Sequence, residues 1–117
     1  MQKIETVNID TETRNYLDVL KQAEYYIASA TVRGIRVIKF VSSPESTRSR
    51  VVKNSLRRAV RKCKSMGKID FFVFGENFNN DDTVSSYLCD RAEYVKDDPD
   101  FCAGNENIVL VYINQKK

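Results

Sequence analysis

The chain contains no histidine. Imidazole is the side chain that ordinarily titrates near neutral pH, and it is the commonest metal ligand. Its absence removes Ser-His-Asp triads, Cys-His pairs and histidine-containing zinc sites. Any enzyme built on this chain would work with carboxylates, lysine, tyrosine, cysteine or hydroxyls. Cysteine is scarce as well. Cys63, Cys89 and Cys102 are odd in number, far apart and without a CxxC pair. That pattern reads as reduced thiols in a reducing compartment, with Cys63 on an apolar helix stripe as a core residue. No apolar run approaches the ~20 residues needed to span a bilayer. The start, MQKIETVNID, has no apolar signal-peptide core. A cytoplasmic location without a membrane partner is therefore expected, and no motif calls for a cofactor or a metal.

What is there is a single domain's worth of chain. The 117 residues, 42% hydrophobic and 30% charged, suit one ordinary core and are too apolar for disorder. The net charge of +3 hides an asymmetry. Arg48 to Lys68 carries nine basic residues and no acidic one, which leaves the remainder at −6. Much of that negative charge falls between Glu76 and Glu106. One basic element and one acidic lobe make a dipolar surface.

Periodicity places the elements. Lys3 to Ile9 alternates and predicts a strand with Val7 and Ile9 on one face. Asn15 is a helix cap with Asp18 three residues on, and Gly34 is a left-handed stop. A helix over Tyr16 to Arg33 follows, with Tyr16, Leu20, Ala23, Ile27 and Ala30 at helical spacing. Ile35 to Val41 reads as a central strand, joined to the first by a parallel crossover. A Ser/Thr-rich loop then enters a second helix that ends near Ser65 or Met66, before Gly67. Its apolar stripe is Val52, Leu56, Ala59, Val60 and Cys63. Lys68 to Phe74 is a third strand. Thr83 to Arg91 is a short helix with Val84, Tyr87 and Leu88 inward. Lys96 to Asn107 is an acidic, irregular connection, its aspartates Asp97, Asp98 and Asp100 reading as a solvated loop. Ile108 to Ile113 is a last strand, buried on both faces and antiparallel to a neighbour. The fold class is α/β, a compact βαβαβ(α)β two-layer sandwich with a mixed sheet of about four strands.

The candidate site is the second helix and the loop before it. Ser42, Ser43, Ser46, Thr47 and Ser49 supply hydroxyls, and Arg48 and Arg50 supply charge, for a phosphate cradle. Arg50, Lys53, Arg57, Arg61 and Lys64 form a basic stripe, with Arg58 and Lys62 beside it. Neighbouring like charges on a helix repel by ~0.2–0.5 kcal/mol per pair, so an unbroken run of them points to an anionic partner. Nucleic acid is the first such partner and an acidic protein the second, and a solvated face with no partner is the remaining reading. Asp10 and Glu12 are weak candidates for a metal or acid–base role, set against a plain helix N-terminal charge.

In their order and spacing these segments resemble the Smr (small MutS-related) domain family, in its short stand-alone bacterial form. The resemblance rests on the helix ending at Gly34-Ile35, on VIKFV, and on LRRAVRK from Leu56 to Lys62. It rests further on GKIDFFVFGENF from Gly67 to Phe78, and on Gly104-Asn105 before IVLVYI. It implies a βαβαββ sandwich like the C-terminal domain of bacterial translation initiation factor three. It also implies binding of DNA or structured RNA by backbone and shape, in several members with cleavage. The family carries an acidic-x-His element after strand one and an HGxG loop after strand two. Here Asp10 matches the acidic position, Glu12 stands at the histidine, and Ser42-Ser43 replaces the HG pair. The resemblance thus implies binding without cleavage. The alternatives are a divergent metal-assisted endonuclease and an adaptor for an acidic protein.

Overall fold

The computed structural model describes residues 3–9, 15–42 and 49–113. Among these residues nine elements follow in chain order. Strand β1 (Ile4–Asn8) leads to helix α1 (Tyr16–Arg33), strand β2 (Val37–Val41), helix α2 (Ser49–Ser65) and strand β3 (Phe71–Phe74). A 3-10 turn (Gly75–Asn77), helix α3 (Thr83–Arg91), a second 3-10 turn (Glu93–Asp97) and strand β4 (Ile108–Tyr112) complete it. The four strands form one mixed sheet in the order β1-β2-β4-β3. β1 and β2 are parallel, in the register Ile4 to Val37. β4 runs antiparallel to both its neighbours, with Tyr112 opposite Val37 on one side and Phe71 on the other. No described helix is long and apolar enough to cross a membrane.

Local chemistry sets the ends of α1. The Asn15 side chain accepts a hydrogen bond from the Asp18 backbone N–H at 3.0 Å, satisfying one of the donors a helix start leaves open. Gly34 closes the helix at φ 77°, where a Cβ is disfavoured. Both ends fall where the sequence places them.

Alternation along the strands divides the apolar side chains into two clusters, one per sheet face. Val7, Ile9, Ile38, Phe40, Val109 and Val111 meet α1 and α2 through Val19, Ala23, Ile27, Leu56, Val60 and Cys63. Sheet and paired helices are the two layers of the sandwich. At ~1.5–3 kcal/mol for each large side chain taken from water, this interface dominates the gain on folding. The opposite face, Val37, Phe71, Val73, Ile108 and Leu110, is closed by Phe78, Leu88, Cys89 and Val95. β4 is covered on both sides and all five of its residues are buried, as its unbroken apolar run predicts.

Two sequence expectations are corrected on that second face. In α3, Ser85, Leu88 and Cys89 point inward, whereas Val84 and Tyr87 are 40% and 45% exposed. The helix is turned so that a serine takes a core position and a tyrosine an outer one. The acidic connection is also more than a solvated loop. Lys39 stands in the middle of β2, only 7% exposed. Its Nζ lies 3.0 Å from Asp98 Oδ2 and 2.7 Å from Asp100 Oδ2. Asn105 Nδ2 donates to Asp100 Oδ1 at 3.1 Å, and the Asp100 backbone N–H donates to Asp98 Oδ2 at 3.0 Å. The cation these aspartates hold is a side chain of the protein's own sheet.

Candidate nucleic-acid interface

The buried stripe of α2 is Val52, Leu56, Ala59, Val60 and Cys63, and its opposite face carries the cations. At 3.6 residues per turn, positions 50, 57, 61 and 64 return to one outer side. The structure sorts these cations into two groups.

The first group is held by carboxylates. Gly75 makes this possible, because it packs where a Cβ would stand 1.8 Å from the Asn105 carbonyl oxygen. That close approach brings Glu76 and Glu106 to the same flank of α2. Arg57 meets Glu76 with two parallel bonds, Nη1 to Oε2 at 2.7 Å and Nη2 to Oε1 at 2.6 Å. Its Nη2 also donates to the Glu106 carbonyl oxygen at 3.0 Å, and its guanidinium lies 4.2 Å from the centroid of the Phe74 ring. Lys53 Nζ sits 2.7 Å from Glu106 Oε1. The hydrogen bond from Arg57 holds the Glu76 carboxyl below the usual range, against the opposing effect of burial. The hydrogen bond from Lys53 does the same for Glu106. Lys53 and Arg57 therefore fasten α2 to the end of the sheet, and their charge is already balanced.

The second group faces outward. Arg50, Arg58, Arg61, Lys62 and Lys64 are exposed, with no carboxylate within ion-pair distance among the described residues. Arg58 lies over the Tyr16 ring at 3.9 Å and Arg61 near the Phe74 ring at 5.1 Å. Such contacts orient a guanidinium without neutralising it. Lys64 stands at the rim of an acidic groove of about 770 Å3 that Asp70, Asp81, Asp82 and Asp90 help to line.

The loop before α2 is described at one end only. Ser42 is fully buried. Its hydroxyl donates to the Asn107 carbonyl oxygen at 3.1 Å, beside a 2.8 Å bond from its own backbone N–H to the same oxygen. It anchors the loop to β4 and presents no hydroxyl to a ligand. Ser43, Ser46, Thr47, Arg48 and the Ser49 side chain lie outside the described residues. So do Asp10 and Glu12. Among the described residues no group of three or more cysteine, aspartate or glutamate side chains is arranged to hold a metal ion.

Sequence reasoning missed Glu76, Glu106, Phe74 and Tyr16 as partners of these cations. Glu76 is 19 residues from Arg57, and Glu106 is 53 from Lys53. No local pattern announces such pairs. What the fold and this surface define is a class, an α/β sandwich with an outward basic helix. No family model, no curated protein and no solved structure matches the chain.

Proposed function

We propose that this chain is a nucleic-acid-binding domain related to the Smr family. In this reading it holds structured RNA or DNA by its phosphate backbone and does not cleave it. The observation that carries the reading is the outward group on α2. Once Lys53 and Arg57 are discounted, Arg50, Arg58, Arg61 and Lys64 still face solvent without a carboxylate partner among the described residues. From Arg50 to Lys64 the helix rises about 21 Å, enough to follow several phosphates. The element order, with α3 set aside, is the order the Smr resemblance implies. The free thiols Cys63, Cys89 and Cys102 suit a cytoplasmic protein.

Salt dependence tests it. Four phosphate contacts on duplex DNA give a slope of log K against log salt near −3.6, from about −0.9 per contact. An Arg58→Gln/Arg61→Gln/Lys64→Gln variant should lose most of that slope, at about one unit per cation removed. Arg57 is left intact because its removal disturbs the fold. Binding that ignores salt, or a triple variant that binds like wild type, refutes the proposal.

A further inference from the structure

Between α1 and α2, on the side away from the sheet, lies an open groove of about 480 Å3. Tyr16, Leu17 and Leu20 form one wall, and Arg58, Arg61 and Lys62 the other. Leu17 is 61% exposed. Tyr16 and Leu20 are half-buried, packed on the core beneath. The Arg58 guanidinium lies flat enough on Tyr16 to come within 3.9 Å of the ring centroid. No carboxylate among the described residues lines this groove.

Its two walls ask for two properties in one ligand. The cationic wall suits phosphates. The apolar wall gains nothing from phosphate and needs a flat apolar surface close to negative charge. A duplex keeps its base faces stacked inside and offers only backbone to such a groove, whereas an unpaired nucleotide exposes base face and phosphate together. An acidic peptide brings the charge without the flat face. Guanidinium planes and aromatic rings are the groups on which unpaired bases stack, with little dependence on sequence.

We propose that the α1–α2 groove holds an unpaired nucleotide, its base against Tyr16, Leu17 and the Arg58 plane, its flanking phosphates on Arg61 and Lys62. The proposal rests on the nucleic-acid reading above and narrows it. The preferred ligand becomes a single strand, or the loop of a structured one, rather than a continuous duplex.

Fluorescence anisotropy on the full chain tests it, with labelled oligouridylate and oligothymidylate of about 12 nucleotides, within the span of known single-strand sites. A duplex of the same length and polyglutamate serve as the other arms. The single strands are expected to bind more tightly than the duplex. Tyr16→Ala and Leu17→Ser should each weaken single-strand binding by about fivefold or more, the worth of one stacked base, and leave duplex binding and the salt slope unchanged. Leu17→Ser is the safer variant, because an exposed side chain is altered and folding is kept. Arg61→Gln/Lys62→Gln should weaken both ligands. Single-strand binding that needs the α2 cations but not Tyr16 or Leu17, or duplex binding as tight as that of the single strands, overturns this inference alone. Absence of any salt-sensitive nucleic-acid binding overturns it together with the proposed function. Polyglutamate binding as tight as the single strands also overturns it, in favour of an acidic protein.

Discussion

Replacing Lys39 with methionine removes a charge from the interior while nearly keeping its volume. The variant leaves Asp98 and Asp100, whose side chains are 11% and 21% exposed, facing an apolar strand with no counter-charge. Breaking a buried ion pair from one side costs ~3–5 kcal/mol. Here the lower end applies, because Asp100 keeps Asn105 and Asp98 keeps a backbone N–H. Against a total stability of ~5–15 kcal/mol, a loss of ~3 kcal/mol is large and lowers Tm on the order of 15 °C. Urea melts followed by circular dichroism read it as a lower midpoint at unchanged slope. A Lys39→Met/Asp98→Asn/Asp100→Asn variant removes the stranded charges and should recover at least half the loss. The pH profile adds an independent check. Burial opposes ionisation of Asp100, but hydrogen bonds from Lys39 and Asn105 outweigh it and hold its carboxyl below the usual range. Its contribution is complete above about pH 4, the unfolded aspartate value, and is lost as pH falls through the lower folded value. Burial likewise opposes the charge on Lys39, and Asp100 and Asp98 outweigh it, raising the ammonium above its usual range. That contribution is complete below about pH 10.4 and is lost as pH rises through the folded value. Lys39→Met should flatten both limbs. A variant within ~1 kcal/mol of wild type, the worth of an exposed surface pair, would refute the reasoning.

Three further outcomes are expected. Arg57→Ala should destabilise the fold by about 1–2 kcal/mol, discounted because Glu76 is partly exposed. Arg57→Lys should not restore the loss, since an ammonium cannot make the two parallel bonds; a double-mutant cycle with Glu76→Gln that shows no coupling would count against this. Gly75→Ala forces a Cβ against the Asn105 carbonyl and Ile108 Cγ1, at 1.8 and 2.5 Å, and should cost ~3 kcal/mol or more, so a variant as stable as wild type in the same melts would contradict the packing described. Of the three thiols only Cys102 is exposed, and burial pushes the Cys63 thiol up to about 11. Ellman's reagent should therefore titrate one thiol quickly in the native protein and all three in urea, and fast labelling of a second native thiol would be the contrary result.

The parts of this fold legible in the sequence are those decided by neighbours along the chain. Asn15 and Gly34 bracket α1 because a cap and a left-handed stop act within a turn of the helix. The stripe from Val52 to Cys63 shows the buried face of α2 because helical spacing is local. The inner face of α3 is not legible along the chain, because its rotation is set by the sheet below, which puts Ser85 inside and Tyr87 outside. Lys39 is a lone charge in an apolar strand, a visible oddity in VIKFV. Its partners lie 59 and 61 residues away, and only the fold brings them back. The same distance effect divides the basic stripe. In the sequence Lys53 and Arg57 are indistinguishable from Arg58 and Arg61, yet the structure gives the first pair a bracing role and leaves the second pair facing solvent.

The position of β4 bears on how the chain is made. Among the described strands it comes last in sequence and joins the sheet's two halves, since β3 pairs with no other of them and β2 needs it on one side. Until Ile108 to Tyr112 has emerged from the ribosome, β1 and β2 can pair and the two long helices can pack on them. β3 must wait with its backbone unsatisfied. A chain stalled or clipped before Ile108 would expose two apolar strand edges at once, open to pairing with other chains. Addition of the β4 segment as a separate peptide should then convert such a fragment from an aggregating species to a folded one.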